Sequence, residues 1–336
     1  MKYQICGGKF DFEWNLHPDV NILAGINGSG KSTMLDCICA LLSVGALPKE
    51  ISFLESLRIT FDNQKYISYE HIEVKDTIRN IEKKAQKDDK YRRVLSEISE
   101  IKNDAGNDYR KITSVRFEMG IASFDDINMT LHELHELINI DVISTFDNAL
   151  RQSEAVRKLS DENVKTELDW NIEKLQKRYL DYQLNISKKK DVIIENSENI
   201  KEYLALLKKP HSLFMNIIDT LFGETGKKLD RDKNEISFLS DKNEITPFQL
   251  SSGEKQLLII LLTVLLQDNN QSILFMDEPE ISLHIEWQKK LIGFIRDLNP
   301  NVQVILATHS PGIIMDGWLD KVSEIRDIVI DKNSEK

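Results

Sequence analysis

Eight residues near the start of the chain, Gly25-Ile26-Asn27-Gly28-Ser29-Gly30-Lys31-Ser32, constrain the fold more than any other stretch. They follow the pattern G-x-x-x-x-G-K-[ST], which works only between a buried strand and a helix. Val20-Asn21-Ile22-Leu23-Ala24 reads as that strand. From Thr33 to Val44, Met34, Leu35, Ile38, Leu41 and Leu42 recur at helical spacing, so a helix leaves the loop. The glycines let successive main-chain N–H groups turn inward around an anion, and the helix N-terminus adds partial positive charge. Lys31 is expected at the β- and γ-phosphates of a nucleotide and Ser32 on Mg²⁺, with Asn27, Gly28, Ser29, Gly30 and Thr33 completing the cradle. The alternative is a glycine-rich turn that happens to carry a lysine.

The 336 residues are 41% hydrophobic and 29% charged, enough apolar content for about two domains or for one domain with a large insertion. The longest apolar run, Leu257 to Leu266, is too short for a bilayer, and Met1 to Gln4 opens no signal peptide. A cytoplasmic protein without membrane contact is expected. The formal net charge of −11 excludes a surface basic throughout, but not a local basic face. Cys6, Cys37 and Cys39 lack metal-ligand spacing. Cys37 and Cys39 fall on different faces of the predicted helix and read as buried thiols.

Strands are predicted at Tyr3–Cys6 and Phe10–Trp14, and a hairpin joins Leu57–Phe61 to Tyr66–Tyr69 across Asp62-Asn63. The charged stretch 70–110 looks helical, Ile112–Phe117 resembles a strand, Leu131–Ile138 a short helix and Asp141–Thr145 a strand. Between Gly120 and Pro210 there is neither glycine nor proline. Within it Leu168, Ile172, Leu175, Tyr179, Tyr182 and Ile186 form a heptad seam, so a long helix or a short hairpin bent around Lys188 to Asp191 is expected. It either lies on the core as a lid or projects as a short coiled coil. Phe214–Leu221 returns as helix, and Glu235–Leu239 and Glu244–Thr246 read as strands. Leu250-Ser251-Ser252-Gly253-Glu254-Lys255-Gln256 opens an apolar helix. Ile273–Met276 is a buried strand ending in Asp277-Glu278-Pro279-Glu280, Ile285–Leu298 an amphipathic helix, and Val302–Ala307 a buried strand ending in Thr308-His309-Ser310-Pro311. This divides the chain into an N-terminal lobe (1–150), a helical insertion (151–212) and a C-terminal lobe (213–336).

Strands alternating with helices at both ends of the chain indicate an α/β core with a mainly parallel sheet. Ligands bind at the carboxyl ends of such strands, which would gather the loop, Asp277-Glu278 and His309 into one crevice. Asp277 is then the second metal anchor, with Ser32, and Glu278 can polarise an attacking water. Alone, the same residues are an acidic turn after a strand, and His309 a satisfied polar residue at a strand end. Ser251 and Glu254 fit a helix capping box, which does not exclude a phosphate site at the same helix start.

Leu250-Ser251-Ser252-Gly253-Glu254 resembles the L-S-G-G-[QE] signature of ABC-type ATPases, and its Glu-Lys-Gln ending the SMC and RecF branch. Asp277-Glu278-Pro279-Glu280-Ile281-Ser282-Leu283-His284 resembles the corresponding motif of OLD-type and related "AAA-like" ABC ATPases of bacteria. Ala307-Thr308-His309-Ser310-Pro311 resembles their switch-histidine strand. The resemblance covers roughly residues 1–45 and 245–312. It implies a P-loop ABC-ATPase head with a mainly parallel core sheet, an antiparallel β subdomain and a helical insertion. It also implies ATP and Mg²⁺ as ligands, catalytic roles for Lys31, Glu278 and His309, and a homodimer or a higher assembly of dimers. In such a sandwich Ser251 and Gly253 of one subunit touch the γ-phosphate held by the other.

Three positions depart from the pattern. Ser252 replaces the first signature glycine, and His284 stands where transporter-type relatives have aspartate. No glutamine-loop motif is evident. The strand Asp141–Thr145 leads to that position, which makes Asp147 a candidate metal-side residue or simply a turn-forming aspartate. The resemblance implies an Mg-dependent ATPase in genome maintenance or anti-phage defence, acting on DNA or on a partner nuclease. Too few residues follow His309 for the nuclease domain of OLD-type proteins, so an effector or nuclease is expected on a separate chain; Septu-like and retron-associated ATPases resemble this arrangement. The alternatives are an ATP-gated scaffold with slow turnover and an SMC- or RecF-like DNA clamp in repair. The signature variant and large insertion disfavour a transporter subunit.

Overall fold

The structure, a computed structural model, describes residues 2–7, 11–42, 54–62, 64–73, 113–121, 139–144, 163–196, 199–241, 243–315 and 317–330. The helices expected within 74–110 and at Leu131–Ile138, and Asp147, lie outside the described residues. The chain divides into two compact units, one of residues 17–35 and 135–325 and one of residues 1–16, 36–134 and 326–336. Each is discontinuous in sequence.

The first unit is built on five parallel strands. In chain order these are β3 (Val20–Ala24), β7 (Asn139–Ser144), β11 (Ser272–Asp277), β12 (Val302–Thr308) and β13 (Val322–Glu324), and across the sheet they run β13-β3-β12-β11-β7. A parallel sheet is covered on both faces, so its central strands are near-continuous apolar runs rather than alternating, and the buried polar residues Asn21 and Gln303 are hydrogen-bonded to the His17 main chain. Every residue of β12 and Ser272 to Met276 of β11 are buried. Helix α4 (Ser252–Leu266) is apolar nearly all round and is buried from Gly253 to Leu265 except at Lys255, the pattern of a helix enclosed by the core. Helix α5 (Ile285–Leu298) is one-sided and buries Trp287, Leu291, Ile292, Ile295 and Leu298.

Helices α2 (Glu167–Asn196) and α3 (Ile200–Gly223) follow β7 in the described chain and overlap the 151–212 segment. The seam residues Leu168, Ile172, Leu175, Tyr179 and Tyr182 are buried in one cluster with α4, so the inner half of α2 lies on the core. Farther out, Leu184, Val192 and Ile194 on α2 and Tyr203 and Leu206 on α3 are exposed. The bend expected around Lys188 to Asp191 is absent, because α2 runs unbroken through these residues. Lysine is a good helix former, whereas α2 ends at Asn196 and α3 begins after Asn199, and asparagine favours turns and caps. Beyond α3, β8 (Lys228–Leu229), β9 (Phe238–Ser240) and β10 (Asn243–Ile245) make a small antiparallel sheet.

The second unit contains an antiparallel sheet of order β14-β2-β1-β4-β5-β6, with β1 Lys2–Gly7, β2 Asp11–Asn15, β4 Leu54–Thr60, β5 Lys65–Glu73, β6 Thr113–Ile121 and β14 Val329–Ile330. Residues 70–73, expected to begin a helical stretch, continue β5 instead, because β6 pairs with it as far as Glu73↔Thr113. Helix α1 (Lys31–Leu42) buries Met34, Leu35, Ile38, Leu41 and Leu42, as their spacing requires. Cys37 is buried and Cys39 partly so. Burial, aided by the Asp36 charge, raises the Cys37 thiol to about 11. Among the described residues no helix is long and apolar enough to cross a membrane.

Candidate active site

Register sets the site. Ala24 pairs with Thr308, Ala307 with Asp277, and Asp277 with Ser144. Parallel strands so aligned end level. The phosphate loop after β3, the acidic segment after β11 and the histidine after β12 therefore leave one rim of the sheet. Ser144, the last residue of β7, ends on that rim too, while Asp147 is outside the described residues.

Within the loop Gly28 has φ +77° and Gly30 φ +95°, left-handed values that a side chain would strain. They alternate with Ser29 and Lys31 and so turn consecutive N–H groups toward a common point. The Ser29 hydroxyl is buried there without a hydrogen-bond partner among the described residues. Lys31 is 4% exposed, and its Nζ donates to the carbonyls of Gly25 (2.9 Å) and Ile26 (3.2 Å), closing the loop on itself. Ser32 and Thr33 are half-buried at the first turn of α1, whereas Asn27 and Gly28 are exposed. With Asp277 the Ser32 hydroxyl makes an all-oxygen donor set, the chemistry Mg²⁺ takes alongside phosphate oxygens. The unpartnered Ser29 hydroxyl and the positive-φ glycines fit a bound phosphate chain.

Glu278 adopts φ +47°, a left-handed conformation costly for a non-glycine residue and characteristic of functional sites. Its N–H donates to the Ala307 carbonyl at 2.8 Å, which fixes it across the ends of β11 and β12. The Glu278 carboxylate lies 3.4 Å from Nδ1 of His309, a side chain that is 46% exposed. The proposed base and the proposed sensor are therefore neighbours in one chain. Glu280, to which the sequence reading gave no role, is buried, and its carboxylate accepts from both Thr308 and His309. A third carboxylate so soon after a strand was a visible signal, but its burial was not.

Ser251 is the N-cap of α4. The Glu254 N–H donates to the Ser251 hydroxyl, and the Glu254 carboxylate accepts from the Ser251 N–H (2.9 Å) and hydroxyl (2.9 Å), so the expected capping box is present. The other Glu254 oxygen accepts from Thr225 (2.8 Å) and Lys227 (2.9 Å). Burial pushes the Glu254 carboxyl up, but the bonds from Lys227, the Ser251 N–H, Thr225 and the Ser251 hydroxyl outweigh it and hold it below the usual carboxylate range. Burial likewise raises Asp169, and Lys255 (2.8 Å) with the N–H groups of Lys165 and Thr166 brings it below the ordinary value. Ser251 and Ser252 are themselves exposed. Gly253 has a packing reason: a Cβ there would sit 2.3 Å from the Ser282 carbonyl, which Ser282 at φ +66° directs against α4. His284 is the N-cap of α5 and accepts from the Glu286 N–H.

The family described as "AAA domain, putative AbiEii toxin, Type IV TA system" matches residues 20–316, from the strand before the phosphate loop to just past the switch histidine. The chain belongs to that family. The matched stretch is an AAA domain, in keeping with the order of its motifs. The Retron Vc95 probable ATPase of Vibrio cholerae is 23% identical over 62% of this chain and 40% of that protein. The Retron Ec83 probable ATPase of Escherichia coli is 28% identical over 34% and 24%. The Septu protein PtuA of Bacillus thuringiensis is 25% identical over 27% and 26%. The chain thus spans less than half the length of these curated relatives. Among solved structures, an Smc head bound to the C-terminal winged-helix domain of ScpA aligns over 94% of this chain and 90% of its own, at 15% identity. The TM-score of that alignment is 0.46.

Proposed function

We propose that the chain is the ATPase head of a defence system, binds ATP with Mg²⁺, closes head-to-head on a second copy around the nucleotide, and so controls a separately encoded effector. The exposed start of α4 carries this reading. By helix geometry the N–H groups of Ser252 and Gly253 have no intrahelical acceptor. They lie beside exposed hydroxyls at a helix N-terminus rigidly held by the buried Glu254 network, the form of an anion site offered to a facing molecule. One chain carries one such motif and one phosphate loop, so two copies complete two sites.

In the closed dimer Lys31 leaves the Gly25 and Ile26 carbonyls for the β- and γ-phosphates, and the loop N–H groups hold the phosphate chain. Ser32 and Asp277 would hold Mg²⁺, which supplies charge neutralisation across the β- and γ-phosphates. Glu278 orients a water and takes its proton as the water oxygen bonds to the γ-phosphorus and the β–γ bridging oxygen departs on ADP. His309 bonds the γ-phosphate of its own subunit, and Ser251, Ser252 and Gly253 of the facing subunit contact it from the other side.

The effector assignment is supported by the retron and Septu systems named in the relatives. It is tested by pulling down the Glu278→Gln protein from its native host with ATP and Mg²⁺. A stoichiometric protein lost when ATP is omitted supports the assignment. DNA alone, released by moderate salt, contradicts it and favours a clamp.

A further inference from the structure

Glu280 lies three residues beyond Asp277 and is 6% exposed. A carboxylate so buried is costly unless its oxygens find donors, and an apolar residue of similar size usually serves packing as well. Its donors are specific. Oε1 accepts from the Thr308 hydroxyl at 2.5 Å and from the His309 N–H at 3.1 Å, while Oε2 is buried without a hydrogen-bond partner among the described residues. The Thr308 hydroxyl accepts from the Ser310 N–H at 2.9 Å, so the residues on both sides of His309 are tied to one carboxylate. A second clamp joins the same two loops: the Ser310 hydroxyl donates to Gln288 Oε1 at 2.6 Å, and Gln288 Nε2 donates to the Leu283 carbonyl at 2.9 Å. The His309 ring lies with Nδ1 3.4 Å from Glu278 and 3.6 Å from Glu280, which leaves Nε2 as the nitrogen free to face a phosphate.

We propose that Glu280 is a positioning residue for ATP hydrolysis, fixing the main chain of His309 so that its ring stays beside Glu278 and presents its outer edge to the γ-phosphate. This rests on the assignment of His309 to that phosphate. Glu280 acts through His309 and touches neither substrate nor metal. What it supplies is an acceptor oxygen at a fixed place, so an amide replaces it better than a hydrocarbon does.

The test is a double-mutant cycle on turnover, with ATP affinity and melting measured alongside. Glu280→Leu is expected to lower kcat roughly 10- to 100-fold, the effect of misplacing a reacting group by about an ångström, while the Kd for ATP moves less than about threefold. In a His309→Ala background the same substitution adds less than about threefold, because the residue it acts through is gone. Glu280→Gln recovers most of the loss. If Glu280→Leu does not melt cooperatively, Thr308→Val removes one donor at nearly constant volume and enters the same cycle. Additive losses in kcat, or a loss of ATP affinity parallel to kcat, overturn the proposal. A His309→Ala protein that turns over like wild type overturns the assignment of His309 itself, and the proposal with it.

Discussion

Glu254 offers a sharp test of how the signature segment is held. Glu254→Ala removes the acceptor for the Ser251 N–H and hydroxyl, together with the bonds from Thr225 and Lys227. Loss of a capping interaction costs about 1 kcal/mol, and breaking a buried ion pair by deleting one partner costs roughly 3–5 kcal/mol. Lys227 is 19% exposed and rehydrates in part, so the ion-pair share drops below its usual range and the total comes to about 3 kcal/mol. Lys227→Met costs as much or more, because the charge it strands belongs to Glu254, only 2% exposed. Urea unfolding with tryptophan fluorescence measures both, since Trp287 lies in the same core cluster as α4. The folded-state values of Glu254 and Asp169 lie below their ordinary ones, so their stabilisation is present above ordinary carboxylate values and lost as pH falls through the depressed folded values. The wild type should therefore lose stability as acid is added, and Glu254→Ala should lose less over the same window. A Glu254→Ala protein within about 0.5 kcal/mol of wild type at neutral pH would refute this account of the network.

Glu278→Gln should lower kcat about 10²- to 10⁴-fold while the Kd for ATP changes less than about threefold, measured by phosphate release and a fluorescent ATP analogue; unchanged turnover removes Glu278 as the base. Gly253→Ala drives a methyl group toward the Ser282 carbonyl, 2.3 Å from the ideal Cβ position, and should cost about 1–3 kcal/mol in a denaturant melt. Lys31→Met should weaken ATP binding by about 2 kcal/mol or more, roughly 30-fold in Kd by calorimetry; retained affinity would mean that Lys31 keeps its Gly25 and Ile26 carbonyls in the bound state.

The parts of this chain that sequence made legible are those whose pattern has one physical solution. Val20–Ala24 and Ile285–Leu298 begin and end where the apolar runs and caps place them. Strands β11 and β12 announce themselves because a strand buried on both faces reads as a near-continuous apolar run, and the phosphate loop does so through its glycines and Lys31. Less legible was anything set by a partner distant in the chain. Strand β5 continues to Glu73 because β6, some forty residues later, supplies its hydrogen bonds, and a charged local sequence hides that. The two-residue strand β8 is too short to carry a periodicity. The helix break after Asn196, rather than at Lys188 to Asp191, turned on the greater preference of lysine than of asparagine for helix. Glu280 was in plain view beside Glu278. Only the structure shows that one carboxylate is left partly open at the rim while the other is buried against Thr308 and His309.

Two heads closing around ATP double the particle mass, which sedimentation reads in solution. Sedimentation of Glu278→Gln with ATP and Mg²⁺ should show the mass double relative to the nucleotide-free protein. The companion variant is Ser252→Glu in the same background. Ser252 is exposed at the first turn of α4, where an acidic residue suits the helix dipole, yet its carboxylate would meet the facing γ-phosphate. It is a better choice than Ser251, whose hydroxyl belongs to the helix cap. Ser252→Glu should bind ATP with unchanged affinity and stay at the nucleotide-free mass. A mass unaltered by saturating ATP in Glu278→Gln, or a doubling that survives Ser252→Glu, would contradict head-to-head closure.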